Sequence, residues 1–256
     1  MTRTLLIVAD PGDVATAEVA RAVAASACPC PVRLVSTAEL SLAGWSHRID
    51  PAGRTSTTLR LRDGTSFDSP PDVSVAYLAS TTPVPRFLRA AAGDRDYAAA
   101  EFRALMVSWL HSLGDRVVNA PSGTEPNGPA WSPGRWLIEA AGVGLPVAHA
   151  RYATSARLLP DRHGPPGAQR FPVLPHTTAG HTVLVAGDHV AGSLADEFRP
   201  ACAELSKRSG CRVISLQLGP GPSGPGVVSA TACGSPRTPE QVWALAEFLV
   251  EWSRNR

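Results

Sequence analysis

The first 120 residues alternate short apolar runs with segments of helical period. Residues 4–9 form an apolar run that ends in the turn Asp10-Pro11-Gly12-Asp13, and a segment of helical period follows it. Strand, loop and helix in this order predict the start of a parallel α/β unit, in which Asp13 caps the helix and Asp10 stands at the carboxyl end of the strand. Further core strands are predicted at residues 32–35, 73–78 and 117–119. The pattern therefore favours α/β class, with an N-terminal doubly wound parallel sheet.

Residues 93–147 hold two predicted helices on either side of a polar loop. The first helix has an apolar face at helical spacing, made by Ala98, Phe102, Leu105, Trp109 and Leu113. Asp94 is placed to cap this helix, and Ser132-Pro133 predicts the start of the second one. Asn119 follows a predicted buried strand at the beginning of the loop. Because ligands of open α/β sheets lie beyond the carboxyl ends of the strands, the loop is the predicted binding edge.

The periodic pattern stops at Val147 and resumes at His181. The residues between them are rich in proline, arginine and histidine, which predicts a linker or surface loop. Beyond the linker, the pattern predicts a hairpin at residues 182–191, a helix at 200–209, and strands at 212–218 and 227–230. A last helix is predicted from Thr238-Pro239, with Gln241 in a capping box. Its buried stripe is predicted to be Val242, Leu245, Leu249 and Trp252.

These patterns predict three parts along the chain. They are an N-terminal α/β domain of residues 1–120, a helix and irregular linker at 121–180, and a C-terminal α+β part at 181–256. An Asp63-Gly64 turn between residues 57–62 and 65–67 predicts a β-hairpin as an addition to the first domain.

Composition narrows the classes of partner. The chain has 256 residues, of which 44% are hydrophobic, and this is enough to bury a core. The formal net charge is +2 and the arginines are scattered, so we expect no nucleic-acid partner and no membrane partner. The N-terminus leads into a strand and not into a signal sequence, so the chain is expected in the cytoplasm. The five cysteines, including the close pair Cys28-Pro29-Cys30, lack metal-ligand spacing and are interpreted as free thiols.

Several phrases of the sequence resemble the ATP-grasp superfamily. They are DYAAAEFRALMVSWLHSLGDRVVNAPS, GPAWSPGRWLIEAAGVGLPV, HTVLVAGDHVAGS and RVISLQLG. The branch that they resemble most contains the peptide-modifying and amino-acid ligases of natural-product pathways. The resemblance implies a pre-ATP-grasp-like N-terminal sheet and an ATP-grasp-like α+β C-terminal part. In that family, lysines of a central subdomain hold the ATP phosphates, and magnesium is bound by an acid on one late strand and by Glu-x-Asn on the next.

The chain departs from this pattern where the nucleotide would be held. Its only lysine is Lys207, and residues 148–180 replace the central subdomain, so the C-terminal part is truncated. Gln217 stands where the resemblance implies the first metal carboxylate, and the next strand, VSATAC at residues 228–233, contains neither Glu nor Asn. Magnesium prefers carboxylate and phosphate oxygens, so a neutral set of side chains would lose most of its charge complement. The sequence therefore predicts that ATP-dependent ligation is lost, with no cofactor and no metal.

The predicted substrate-binding residues are Asp10, Arg86, Asn119, Trp131 and Arg135, and no catalytic residue is assigned. The first hypothesis is a non-catalytic protein that binds a peptide, a small molecule or a pathway enzyme in natural-product biosynthesis. The alternative is an enzyme of the same pathway, either an ATP-grasp-type ligase or an ATP-independent activity in the repurposed cleft. A homodimer formed through the apolar terminal helix is a third hypothesis.

Overall fold

The computed structural model describes residues 3–69, 72–83, 91–148, 181–221 and 224–255. In chain order, their strands and helices are β1 (Thr4–Ala9), α1 (Val14–Ala25), β2 (Val32–Ser36), α2 (Thr37–Leu42), β3 (Gly44–Ile49), β4 (Thr55–Arg60), β5 (Ser66–Ser69), β6 (Val73–Tyr77), α3 (Ala92–Ser112), α4 (Pro133–Gly142), β7 (His181–Ala186), β8 (His189–Gly192), α5 (Ala195–Ser209), β9 (Val213–Gly221), β10 (Gly224–Thr231) and α6 (Pro239–Arg254). A short 3₁₀ helix, Gly114–Arg116, follows α3. Within the described ranges, no helix is long and apolar enough to cross a membrane.

β1 is the central strand of a parallel sheet of order β2-β1-β6. Its side chains are buried on both faces, because Leu5 and Ile7 belong to the same apolar core as α1 and α6, and Leu6 and Val8 belong to the core formed with α3. Parallel sheets are stable when helices cover both faces, and continuous apolar runs such as β1 are typical of them. The predicted α/β class and doubly wound sheet are confirmed.

The core strand predicted at residues 117–119 is only an isolated β-bridge in the structure. Val117 makes an isolated parallel bridge with Val75, and the Val118 N–H donates to the Val75 carbonyl at 3.0 Å. The chain then leaves this sheet, and Asn119 reaches the C-terminal sheet instead. The apolar pair thus joins the parallel sheet without extending it.

A small antiparallel sheet of order β3-β4-β5 packs against α3. Trp45 of β3 meets Trp109 of α3 edge to face, with 5.2 Å between the ring centroids. His47 of β3 contacts both β4 and α3, because its Nδ1 lies 2.7 Å from Thr57 Oγ1 and its Nε2 lies 2.8 Å from Ser108 Oγ. The β4–β5 hairpin was predicted, whereas β3 was not, although the turn Asp50-Pro51-Ala52-Gly53 follows β3 and connects it to β4.

The C-terminal sheet is antiparallel, of order β10-β9-β7-β8. One face packs on α4 and α5, and the other face packs on α6. The predicted stripe of α6 is buried, and it belongs to the same apolar core as Leu5 and Ile7 of β1. α6 therefore joins the two large sheets, and its stripe is covered within one chain. The homodimer and the predicted domain boundaries stay predictions.

Three of the predicted helix caps are confirmed and two helix starts are wrong. Asp13, Ser132 and Thr238 each accept a hydrogen bond from a backbone N–H in the first turn of their helix. α3 begins at Ala92, so Asp94 lies in its first turn and does not cap it. α5 begins at Ala195, which leaves Pro200 inside the helix and without an N–H for the preceding turn. The buried α5 side chains, Phe198, Cys202 and Leu205, pack on the C-terminal sheet and offset that loss.

Candidate ligand-binding cleft

Two cavities open where the parallel sheet meets the C-terminal sheet. The first, of about 500 Å³, lies between the end of β6, the loop of residues 124–133 and the end of β10. The second, of about 450 Å³, lies between the β1–α1 turn, β9 and the start of α6. Ser80, Thr231 and Cys233 line both cavities, so the two form one composite surface, which we call the ligand cleft. Each cavity has the size of a small-molecule or short peptide site.

Asp10 lines the second cavity, but its carboxylate is occupied by the protein itself. One oxygen accepts from Ser80 N at 2.9 Å and Ser80 Oγ at 2.6 Å, and the other accepts from Thr81 N at 3.1 Å and from the Thr81 hydroxyl. Partial burial raises the pKa of Asp10, but these four hydrogen bonds lower it more, and the net pKa lies below its ordinary value. Asp10 therefore joins the carboxyl ends of β1 and β6.

Asp13 is engaged in a similar way. Its carboxylate accepts from Thr16 N at 3.0 Å and from Thr16 Oγ1 at 2.7 Å, which is the predicted cap of α1. It also accepts from Ser235 Oγ at 3.0 Å, across the second cavity. This contact ties the β1–α1 turn to the segment between β10 and α6.

Asn119 is 2% exposed and makes four hydrogen bonds with the backbone. Its amide nitrogen donates to the carbonyls of Val213 and Ala232 at 2.8 and 2.6 Å. Its amide oxygen accepts from Arg212 N and Val213 N at 2.8 and 3.0 Å. An asparagine side chain has two donors and two acceptor sites, and all four are used here. The predicted contact of Asn119 with a substrate stays a prediction, whereas its contact with the C-terminal sheet is a feature of the fold.

Trp131 and Trp136 form the aromatic part of the first cavity. Their rings meet edge to face at 4.8 Å, and the Arg135 guanidinium lies over Trp131 at 4.8 Å from the ring centroid. Trp136 is buried, and Trp131 is half-buried. Arg135 is not part of the cavity lining, and its Nε lies 3.7 Å from the Glu139 carboxylate. Trp131 thus contributes directly to the cavity, and Arg135 supports it from outside.

Arg86 lies outside the described residues. The other four predicted binding residues lie around the junction of the two large sheets, where Asp10 and Trp131 line different cavities. Sequence reasoning did not select Glu125 or Arg237, which also line the cleft. No local motif marks either residue, because they reach the cleft only through the packing of distant segments.

The fold is similar to that of several solved ATP-grasp ligases. The RiPP-associated ATP-grasp ligase of Chryseobacterium gregarium, solved with ADP and a leader and core peptide, aligns over 97% of each chain, with a TM-score of 0.66 and 13% identity. Macrocyclase MdnC of Microcystis aeruginosa, bound with precursor peptide MdnA, aligns over 97% of this chain and 99% of its own, with a TM-score of 0.68 and 13% identity. ATP-grasp ligase PsnB with minimal precursor, Mg and ADP aligns over 98% of each chain, with a TM-score of 0.61 and 15% identity.

The chain has an ATP-grasp fold. No protein-family model and no curated protein sequence matches it. At the identities of these structures, the likeness establishes the ATP-grasp fold, and the chemistry has to be argued from the residues of the cleft.

The late strands of this ATP-grasp fold do not fit a magnesium ion. On β10, Ser229 stands opposite Gln217 of β9, and Thr231 stands opposite Ser215. All four side chains are neutral, whereas magnesium is held through carboxylates and phosphates. Among the described residues, no three His, Cys, Asp or Glu side chains lie close enough together to hold a metal ion. The side chains of the late strands therefore do not form a magnesium site.

Cys233 adds no charge to the cleft either. Its thiol donates to Thr231 Oγ1 at 3.3 Å, and burial raises its pKa above the ordinary value of a thiol. At neutral pH the shared wall of the two cavities is thus uncharged.

Proposed function

We propose that this chain is a non-catalytic member of the ATP-grasp fold, which binds a peptide or a protein partner in a natural-product peptide pathway. One observation carries the proposal: the described part of the ligand cleft has neither a free carboxylate pair for magnesium nor a cluster of cations for a triphosphate. Its charged lining residues are Asp10, Asp13, Glu125 and Arg237.

Two features of these charges weigh against a bound nucleotide. Asp10 and Asp13 already accept several hydrogen bonds, so coordination of a metal would require breaking them. Glu125 carries a negative charge into the first cavity, and a triphosphate there would be repelled, not neutralised. Phosphoryl transfer depends almost entirely on positioning and on neutralising developing charge.

Peptide binding is supported by the residues that line the ligand cleft and by the ligands of the structurally similar ATP-grasp ligases. The cleft combines indole rings, prolines and small hydroxyl side chains, and such a surface offers both apolar contacts and hydrogen bonds to an extended peptide. The structures of MdnC and PsnB cited above contain precursor peptides. We extend that ligand class, and a cytoplasmic site of action, to this chain as part of the proposal.

The test is isothermal titration calorimetry with ATP and magnesium. We expect no binding by the wild-type protein. As a matched comparison, the triple variant Gln217→Asp, Ser229→Glu, Thr231→Asn restores acids and an amide on β9 and β10, and we expect it to gain magnesium-dependent nucleotide binding. Micromolar binding of ATP and magnesium by the wild type would contradict the proposal.

A second candidate is an enzyme of the same pathway. It is favoured by the alignment over nearly the whole of both chains with PsnB, whose structure contains Mg and ADP. The arginines at positions 151, 157, 162 and 170 lie outside the described residues, and in this alternative they would hold phosphates in place of lysines. Incubation with ATP, magnesium and the peptides of neighbouring genes tests it, with ADP release and peptide mass as readouts. Turnover that is lost in the variant Arg86→Gln would favour the enzyme.

A further inference from the structure

Two cysteines lie side by side where α1 leads into β2. The Cys28 and Cys30 sulfurs are 3.6 Å apart, on either side of the exposed Pro29, and both cysteines are half-buried. The pair precedes Val32, which is paired with Leu5 near the start of β1, so it lies at the amino ends of these parallel strands. The ligand cleft lies at their carboxyl ends, and neither cysteine lines it.

Tertiary contacts hold this turn in place. Both cysteines pack against the apolar core that α1 shares with α6. Cys28 Sγ lies 3.6 Å from Ser253 Oγ, near the end of α6. The Arg254 guanidinium of the same helix donates to the Ala27 carbonyl at 3.2 Å. The end of α6 thus fixes the turn from a distant part of the sequence.

The separation of the two sulfurs suits a disulfide. The S–S bond is about 2 Å long and joins residues whose Cα atoms lie within about 7 Å. Residues two positions apart meet that limit, because two residues of extended chain span at most about 7 Å. A small rotation of the Cys28 and Cys30 side chains would therefore close the remaining gap.

Such a bond would be reversible. A disulfide between residues two positions apart closes a very short loop, so it removes little entropy from the unfolded chain and contributes little to stability. In a reducing compartment, disulfides are usually transient and serve catalysis or redox sensing. A bond between Cys28 and Cys30 would thus be a modification and not a structural crosslink.

We propose that Cys28 and Cys30 form a redox-active dithiol that exchanges with low-molecular-weight disulfides. In the first step, the Cys28 thiolate attacks one sulfur of the small disulfide, a mixed disulfide forms, and one small thiolate leaves. In the second step, the deprotonated Cys30 sulfur attacks Cys28 Sγ, the internal disulfide forms, and the second small thiolate leaves. The two protons of the protein thiols balance the two small thiolates. The dithiol is oxidised, and the small disulfide is reduced to two thiols.

The surroundings of Cys30 assign the order of these steps. Burial, together with the neighbouring Cys28 thiol, raises the pKa of Cys30 to about 11. Since the thiolate is the nucleophile, Cys30 is a poor first attacker at neutral pH. Once Cys28 is in the mixed disulfide, Cys30 lies beside it, and an attack within the molecule has a large advantage over attack by a second small thiol.

The experiment exposes the folded full chain to graded ratios of reduced glutathione and glutathione disulfide, up to glutathione disulfide alone. Acid quenching, alkylation and mass spectrometry of the peptide that contains both cysteines separate dithiol, mixed disulfide and internal disulfide. We expect the internal disulfide to exceed the mixed disulfide about tenfold or more. Excess reduced glutathione should restore the dithiol.

The other cysteines of the same molecule are internal controls. Cys202 and Cys211 are buried in the core of the C-terminal sheet, so they should stay reduced. Cys233 is half-buried, like the pair, but its hydrogen-bond partner is Thr231 and not a thiol. We expect Cys233 to form no internal disulfide.

Two single variants test the order of the steps. Cys30→Ser should accumulate the mixed disulfide at Cys28, because the resolving thiol is gone. Cys28→Ser should react with glutathione disulfide about tenfold more slowly, since it retains only the Cys30 thiol. Equal rates in the two variants would contradict this order. Thermal unfolding of each variant verifies that the fold is retained.

Two results with the wild-type protein, which need no variant, would overturn the inference. One is separate glutathione adducts at Cys28 and Cys30 without an internal disulfide. The other is two thiols that stay reduced at every glutathione ratio. Neither measurement involves a nucleotide or a peptide ligand, so this inference stands or falls independently of the proposed function.

Discussion

The two sides of the ligand cleft differ in how far their polar groups are already satisfied. At the junction of the sheets, Asp10, Asp13 and Asn119 use nearly all of their hydrogen-bonding capacity on the protein. In the loop of residues 122–131, the Asn127 amide and the Ser122 hydroxyl are buried and have no hydrogen-bond partner among the described residues, and the same holds for the Glu125 carboxylate, which is exposed. The polar side chains at the sheet junction are therefore hydrogen-bonded to the protein, and we call this the braced side. Several polar groups of the loop have no such partner.

A polar residue beside a cleft can therefore either hold the fold together or remain available to a ligand, and its residue type alone does not say which. Buried polar groups without partners are costly and therefore rare, so a cluster of them needs an explanation. In the braced side, the hydrogen bonds hold the sheets in position. In the loop, the unpaired groups are the ones that stand to gain from a ligand or from rearrangement on binding.

The largest expected effect comes from the braced side. Asn119→Ala removes four backbone hydrogen bonds and leaves buried groups of Arg212, Val213 and Ala232 without this partner. We expect the free energy of unfolding to fall by about 3 kcal/mol or more, and the midpoint of thermal unfolding to drop by roughly 6–12 °C. Calorimetric melting measures both. A loss below about 1 kcal/mol would contradict the bracing role, because it would be no more than one ordinary hydrogen bond.

A smaller effect is expected at Asp10. Asp10→Asn replaces one acceptor oxygen by an amide donor that faces the donors of Ser80 or Thr81. We expect the free energy of unfolding to fall by about 2 kcal/mol at neutral pH. The folded pKa of Asp10 lies below its ordinary value of 3.8, so the ionised group favours the folded state. This contribution is fully present above pH 3.8 and is lost as the pH falls through the folded pKa.

Urea unfolding of wild type and Asp10→Asn as a function of pH measures this difference. The two stability curves should run parallel above pH 3.8 and converge below it. The control is Asp68→Asn, because the exposed Asp68 carboxylate accepts a single hydrogen bond from the described residues, from Thr58 Oγ1 at 2.7 Å. Equal losses in the two variants would contradict the special role of Asp10.

The third prediction concerns Trp131, which lies in the loop and lines the first cavity. Trp131→Ala removes an aromatic surface from the first cavity, and we expect about a tenfold loss in affinity for whichever peptide of the neighbouring genes binds the wild type. Trp131→Phe should retain most of the binding. Trp243→Ala is the matched control, since Trp243 is 61% exposed on α6 and does not line the cleft. Equal affinities of the Trp131→Ala variant and the wild type would remove Trp131 from the site.

The smallest effect on stability is expected at Asn127, the counterpart of Asn119. Its buried amide has no partner within the described ranges, so Asn127→Ala should leave the free energy of unfolding unchanged or raise it by up to about 1 kcal/mol. Chemical unfolding of the two alanine variants side by side measures the contrast. A loss at Asn127 as large as that at Asn119 would show that the loop is braced as well.

Much of the fold follows from local patterns. β1, β2 and β6 were predicted from apolar runs, and the caps Asp13, Ser132 and Thr238 from residues whose side chains bond to the nearest backbone. Prediction failed where local rules compete with packing. Pro200 is typical of a helix start, yet it lies inside α5 because apolar contacts on both sides of it keep the helix continuous.

The sequence by itself determined most of the strands, most of the helix starts, and the neutral side chains of β9 and β10 where the ATP-grasp resemblance implies metal ligands. These follow from residue identity and from patterns of neighbouring residues, which are present in the sequence before the chain folds. Only the tertiary structure decided that Asp10, Asp13 and Asn119 are hydrogen-bonded within the protein, while the side chains of Glu125 and Arg237 meet no hydrogen-bond partner in the part of the chain that the structure describes. That division depends on which distant donors arrive beside each side chain, since a carboxylate is available to a ligand only where the fold leaves it unpaired.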